Sequence, residues 1–207
     1  MFSQNQLAAL TELLRAGAAE TTAALSRWLG RPARMTVERV DQLTLHDATE
    51  VLGDSEVPVG ACVMEMRGRI TGQLILAFDD ASGLNLADLL LGNPTGTAQS
   101  WTEIERSAAQ ETANIVGCAY LNALARFFHD GGRTHEVLPS PPRFTHDYAQ
   151  SLLQFALMNQ AAASDVVFLT ETEFNIDGAP VNWKLLFIPD AESLPAIAGI
   201  PSLERPD

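Results

Sequence analysis

The stretch SAAQETANIVGCAYLNALA, residues 107–125, decides how the rest of the chain is read. Its alanine content marks a helix, yet Ser107, Glu111 and Asn114 interrupt it at spacings that bring them together. At about 100° per residue, Ser107, Asn114, Cys118 and Asn122 all fall within roughly 60° of Glu111. The opposite side collects Ala109, Ala113, Val116, Tyr120, Leu124 and Phe127. A helix written this way buries the apolar set and displays the polar stripe.

Working outward, the helix is predicted from Thr102, where Thr102 and Glu105 form a capping-box pair, to about Phe128. The same text occurs 99 positions earlier: Ser3 and Gln6 make the box, Phe2 stands where Trp101 stands, and the helix runs from about Gln4 to Leu29 before Gly30. The segments downstream of the two helices also match. After the first come MTVERV (35–40) as a strand, a short helix near His46 to Leu52, and the extended runs ACVMEMR (61–67) and GQLILAF (72–78). A leucine-rich helix, LNLADLLLG (84–92), completes that half. After the second come HEVLPSPP (135–142) as an extended segment and a helix from Tyr148 to about Ala161. DVVFLTETEFNI (165–176) and VNWKLLFI (181–188) succeed it as a hairpin about Asp177-Gly178, and then the short apolar tail ESLPAIAGI (192–200).

The expectation is an α+β chain of two structural repeats, about 1–99 and 100–207, joined by NPTGTAQS (93–100). Neither repeat buries its hairpin and long helix comfortably alone. They are expected to form one pseudo-twofold domain, with a shared antiparallel sheet and both long helices on the same side of it.

Composition narrows the function. The 207 residues are 46% hydrophobic and 19% charged, a globular balance, and 26 acidic against 13 basic side chains give a net charge of −13. That charge excludes the footprint of a nucleic-acid or anionic-membrane binder and favours a protein partner or small ligand. Two cysteines, no apolar run approaching the roughly 20 residues of a membrane span, and no secretory leader pattern lead to a cytoplasmic expectation. His-Asp occurs at 46–47, 129–130 and 146–147, but no HxxxH or CxxC spacing supports a metal site. No phosphate-binding glycine loop, Ser-His-Asp order or dinucleotide fingerprint is present.

The pattern Ser107-x-x-x-Glu111-x-x-Asn114, followed by AYLNALA and the proline segment PSPP, resembles the CheC family of chemotaxis phosphatases, which includes CheX and FliY. WLGRPARMTVERV after the first helix is similar to the same family's text. The resemblance spans essentially the whole chain, and the twofold repeat is itself a family trait. It implies hydrolysis of the aspartyl-phosphate of a CheY-like receiver domain in chemotaxis or another two-component pathway. Asn114 would orient the attacking water, and Glu111 would pair with the lysine beside the regulator's phosphorylation site. Ser107, Cys118 and Pro142 would belong to the partner-binding surface. The protein needs no cofactor of its own on this reading, because the Mg2+ comes with the regulator.

Two departures from the family pattern stand out. The first helix carries Ala8, Glu12 and Arg15 at the equivalent positions, and a guanidinium cannot accept a hydrogen bond from water, so that half is read as degenerate. Arg15 is left with a structural role or an anionic contact. The gap from Asn114 to Pro142 is longer than the family's, with HDGGR (129–133) as the insertion, and Pro139 and Pro141 compete as the motif proline. The competing function is a non-catalytic binding module of the same fold, like the FliM middle domain. A scaffold for the deamidase CheD is a further reading.

Overall fold

A computed structural model describes residues 2–52, 56–126, 129–130, 133–134, 136–157, 167–176 and 179–199. The first half runs α1 (Gln4–Leu29), β1 (Ala33–Leu43), α2 (Leu45–Leu52), β2 (Pro58–Gly68), β3 (Gly72–Phe78) and α3 (Asp80–Leu91). The second runs α4 (Glu103–Ala125), the two-residue strands β4 (His129–Asp130) and β5 (Arg133–Thr134), then β6 (Val137–Pro139), β7 (Arg143–Tyr148) and α5 (Ala149–Leu157). It ends with β8 (Val167–Ile176), β9 (Ala179–Val181), β10 (Trp183–Pro189), a 3-10 turn at Ala191–Ser193 and α6 (Leu194–Ala198).

Both capping boxes form, Ser3 with Gln6 and Thr102 with Glu105. The residues before them anchor each helix entry: the Phe2 ring meets Phe168 edge-on at 5.1 Å, and Trp101 lies 5.5 Å from Phe78 and 4.8 Å from Phe144. The linker between the halves is also fixed. Asp88, fully buried on α3, accepts hydrogen bonds from the backbone of Thr97 and Ala98 at 2.8 and 3.0 Å.

β4 and β5 pair with each other, and the remaining strands form one antiparallel sheet in the order β1-β8-β10-β3-β2-β6, with β7 also on β2 and β9 on β8. The two hairpins meet at its centre, where β3 pairs with β10 from Gly72↔Pro189 to Phe78↔Trp183. The strand after each long helix crosses to the other half's hairpin or to an edge, so neither half's sheet is closed on itself. Both faces are covered. Leu74, Leu76, Leu185 and Phe187 point into the core under α1, α3, α4 and α6, while the alternating Ile75, Ala77, Leu186 and Ile188 pack against α2 and α5. A two-sided core accounts for the nearly unbroken apolar text of β3 and β10.

The long helices do lie on the same side and pack directly on each other. A Cβ added at Gly17 of α1 would stand 3.2 Å from both Ala123 Cβ and Tyr120 Cα of α4. That approach is tighter than an ordinary Cβ contact, so a side chain at position 17 would push the two helices apart by a few tenths of an ångström.

β1 is an edge strand, with β8 on one side and α1 on the other. Four α1 side chains take up its outward backbone groups. Thr11 Oγ1 accepts from Val40 N at 3.0 Å, Thr22 Oγ1 accepts from Met35 N at 2.9 Å and donates to Met35 O at 3.3 Å, and Ser26 Oγ bonds both Ala33 N and O at 3.1 Å. Arg15 Nε donates to Val37 O at 2.9 Å, and its Nη2 donates to Glu38 O. An exposed edge is thereby closed by a helix rather than another strand.

Three sequence expectations change. Residues 143–148 form β7, so Tyr148, expected at the start of a helix, belongs to that strand rather than to α5. The polar text RFTHDY hides an edge strand whose one inward ring, Phe144, joins the Trp101 cluster. The predicted strand 181–188 is broken at Asn182, whose Nδ2 donates to Asp79 Oδ2 at 2.8 Å and whose backbone N–H donates to Ser82 Oγ at 3.1 Å. α3 begins at Asp80, earlier than expected, because Asp79 caps it by accepting from Ser82 N at 2.7 Å. Phe127, Phe128, Gly131, Gly132, residues 158–161, 165–166, the Asp177-Gly178 turn and Ile200 lie outside the described residues.

Thr22→Val keeps the side chain's shape and removes both bonds to Met35. Urea denaturation is expected to show a loss of about 1–3 kcal/mol with an unchanged m-value.

Candidate functional site

α4 buries Ala109, Ala113, Val116, Tyr120 and Leu124, as its periodicity demands, and adds Thr112, Gly117, Leu121 and Ala123. Gly117 makes room for the Met64 side chain of β2, since a Cβ there would fall 2.6 Å from Met64 Cε. With that side consumed, Ser107 and Glu111 are exposed, and Asn114 and Cys118 are half-buried on the remaining side. The sequence-predicted stripe is therefore assembled on one helix face.

Asn114 has few demands on it. Its Oδ1 accepts from Cys118 Sγ at 3.6 Å, the one hydrogen bond found for its side chain among the described residues. Burial, and then the nearby negative charge of Glu111, push the Cys118 thiol above its usual pKa, so it is a protonated donor at neutral pH. Cys62 is buried in the sheet, and desolvation raises its pKa to about 12. At the N-terminal end of α4, the Thr102 hydroxyl holds the Glu105 carboxyl below its ordinary pKa.

Of the three candidate prolines, Pro142 is the one whose backbone reaches α4: its carbonyl accepts from Gln110 Nε2 at 2.8 Å. Pro139 pairs with Met66 in β6, and Pro141 is exposed. Gln110 lies on the Asn114 side of the stripe, so the segment between β6 and β7 flanks that side. Ser140 anchors the same segment, with its N–H donating to Glu65 O at 2.8 Å and its Oγ accepting from Glu65 N at 2.9 Å.

Two residues on this face escaped the sequence reading. Gln110 was hidden because its role depends on a partner 32 positions away. Ile104 is 57% exposed two turns before Glu111 on the same side, and an isoleucine seven residues ahead of the motif glutamate was the available signal.

The first-half equivalents are arranged otherwise. Positions 15 and 114 correspond across the 99-residue offset, but Arg15 is committed. β1 carries a register shift between Val37 and Arg39, and Arg15 donates to the carbonyls of Val37 and Glu38 at that bulge while pairing with Glu12. A groove of about 310 Å3 runs beside it, lined by Gln4, Ala8, Glu12, Arg15, Arg39 and Asp41. Arg15 thus has the structural role that its sequence left open.

The His-Asp pairs do not converge. His146 Nε2 lies 2.9 Å from Asp80 Oδ1, which also accepts from Trp101 Nε1 at 2.8 Å, while His46 faces Glu50 at 3.8 Å and His129-Asp130 form β4. Among the described residues no group of three or more His, Cys, Asp or Glu side chains is arranged to hold a metal ion. No helix among them is long and apolar enough to cross a membrane.

Comparison with known proteins gives the geometry its context. The chain is 24% identical over 171 residues to the CheY-P phosphatase CheC of Bacillus subtilis, covering 82% of this chain and 79% of that protein. It is 22% identical over 193 residues to CheC1 of Halobacterium salinarum, covering 93% and 94%. The fold matches FliY of Thermotoga maritima with a TM-score of 0.74 at 19% identity, over 95% of this chain and 96% of that one. The resemblance is to the CheC, CheX and FliY family. The FliM middle domain of Helicobacter pylori shares the CheC-like fold, with a TM-score of 0.69 at 15% identity over 96% and 99% of the two chains. No family model matches the sequence.

The contrast between the two CheC-like helices can be measured. Arg15→Met is expected to lower stability by about 1–2 kcal/mol, because two strand carbonyls lose their donor, while Asn114→Met changes it by less than about 0.5 kcal/mol. Thermal and urea unfolding of both variants check this.

Proposed function

We propose that the protein accelerates hydrolysis of the aspartyl-phosphate on a CheY-like receiver domain, using Glu111 and Asn114 of α4. The observation that carries the reading is the difference between two corresponding helix positions. Arg15 is locked onto β1, whereas the Asn114 amide stands on a displayed face with the Cys118 thiol as its one hydrogen-bond partner among the described residues. The sequence likeness to the B. subtilis CheY-P phosphatase supplies the substrate class. A crystal structure of a CheX–CheY–BeF3–Mg2+ complex from Borrelia burgdorferi, matched here with a TM-score of 0.51 at 11% identity over 87% of this chain and 99% of that one, has the same kind of partner.

The chemistry suits so sparse a site. Water attacks phosphorus in line, a new P–O bond forms as the bond to the aspartyl oxygen breaks, and inorganic phosphate and a free carboxylate result. The regulator brings its own Mg2+ and phosphoryl contacts, so this chain has to supply position rather than a metal or nucleophile. Asn114 offers an acceptor and two donors to hold the water without deprotonating it. Glu111, exposed on the same face, pairs with a basic group of the regulator and fixes the docking register. Ser107, Cys118 and the Pro142 segment border the contact.

The two-repeat organisation belongs to the same proposal: segments 1–99 and 100–207 form one CheC-like domain in which the second copy retains the site. Its support is the sheet order, which reads alike from either end, as edge strand, hairpin of the other half and central hairpin strand.

Asn114→Ala is expected to lower single-turnover hydrolysis by about 10- to 1000-fold with little change in affinity for a regulator carrying a beryllofluoride mimic. Glu111→Ala weakens affinity as well, and Glu12→Ala leaves both nearly intact. A wild-type protein that binds the regulator yet leaves dephosphorylation at its spontaneous rate is a binding module of the FliM kind, and the enzymatic reading falls.

A further inference from the structure

We propose that Cys118 is a positioning residue whose thiol holds the Asn114 side-chain amide in a single orientation. The inference rests on the role just assigned to Asn114 and concerns how that role is enforced.

An asparagine amide has two ends of nearly equal size and opposite hydrogen-bonding character, and rotation about its last torsion exchanges them. For a residue that must present an acceptor to water, such an exchange inactivates half of the geometry. Packing against apolar neighbours does not distinguish oxygen from nitrogen. A group that donates to one end does.

Cys118 is such a group, placed one helical turn beyond Asn114, where side chains tilt back toward the N-terminus and meet the residue four positions earlier. Its Sγ lies 3.6 Å from Asn114 Oδ1. The thiol is half-buried, and both its burial and the charge of Glu111 disfavour the thiolate, so the hydrogen stays on sulfur. With one lone pair of Oδ1 engaged by S–H, the other remains for a water hydrogen, and the Nδ2 hydrogens are free to face the phosphoryl oxygens.

A hydroxyl at the same position would not do the same work. Three threonines inside the long helices turn back to the carbonyl four residues earlier, Thr11 to Leu7 at 2.8 Å, Thr21 to Gly17 at 2.9 Å and Thr112 to Ala108 at 2.9 Å. A serine at 118 would be drawn to the Asn114 backbone carbonyl and away from its side chain. Sulfur, a weaker donor on a longer bond, is less captured by the backbone.

The test uses the full chain in two readouts. In single-turnover dephosphorylation of a receiver domain, Cys118→Ala and Cys118→Ser are both expected to lower the maximal rate by about 3- to 10-fold, as for loss of one weak hydrogen bond, a larger change than in the regulator concentration giving half-maximal rate. In the protein without regulator, the 15N–1H side-chain amide signals of Asn114, assigned by their loss in Asn114→Ala, are expected to move toward solvent-exposed asparagine values in both Cys118 variants. Unchanged Asn114 amide signals in Cys118→Ala overturn the proposal, as does a wild-type rate in that variant. Should the wild-type protein itself leave hydrolysis at the spontaneous rate, the proposed function fails, and the amide signals alone decide whether the thiol orients Asn114.

Discussion

The close crossing of α1 and α4 governs the rest of the structure. Gly17 lets the backbone of α1 approach Tyr120 and Ala123, and Tyr120 is buried with its hydroxyl 3.9 Å from Met35 Sδ of β1. Burial raises the Tyr120 pKa far above its ordinary value, so the phenol stays neutral within the core. With α1 on one flank and Met64 pressed against Gly117 beneath, α4 has one rotational setting. That setting is what turns Ser107, Glu111 and Asn114 outward. The polar stripe is exposed because every other direction around the helix is occupied.

The sheet supplies the platform for this crossing. Its central strands are buried on both faces, so the long helices rest on a layer that α2 and α5 support from behind. The two ends of the layer are finished differently. At the β1 end, hydroxyls and a guanidinium from α1 take up the free backbone groups. At the other, β6 stops at Pro139, the chain turns through two prolines that have no N–H to satisfy, and one bond from Gln110 ties the turn to α4. The first finish consumes the polar groups of its helix, and the second leaves them available. This difference in edge chemistry, more than any difference in fold, separates the two helices.

Much of this was legible in the sequence, and the parts that were not share a cause. Helix caps, the hairpins and the buried side of α4 follow from local rules, and Ser3, Thr102, Gly30 and the alternating text of β1 announced them. The stripe was legible because helical spacing alone brings Glu111 and Asn114 together. By contrast, β7 was missed because RFTHDY is polar, and its pairing with β2 depends on residues some eighty positions earlier. Gln110 and Arg15 were opaque for the same reason, each being defined by a backbone group that another element delivers, and the break at Asn182 by the side chains of Asp79 and Ser82. Sequence periodicity reports which side of an element is buried. It is silent about which orphaned carbonyl waits there.

The bulge in β1 and the side chain of Arg15 form a lock that neither can leave alone. Removing the guanidinium strands the carbonyls of Val37 and Glu38, and straightening the strand strands the guanidinium. A change at position 15 therefore comes with a change in the strand, since each single step leaves a backbone or side-chain group without its partner. The difference between α1 and α4 is therefore a mutational ratchet: its two components, the bulge and the guanidinium, protect each other from replacement.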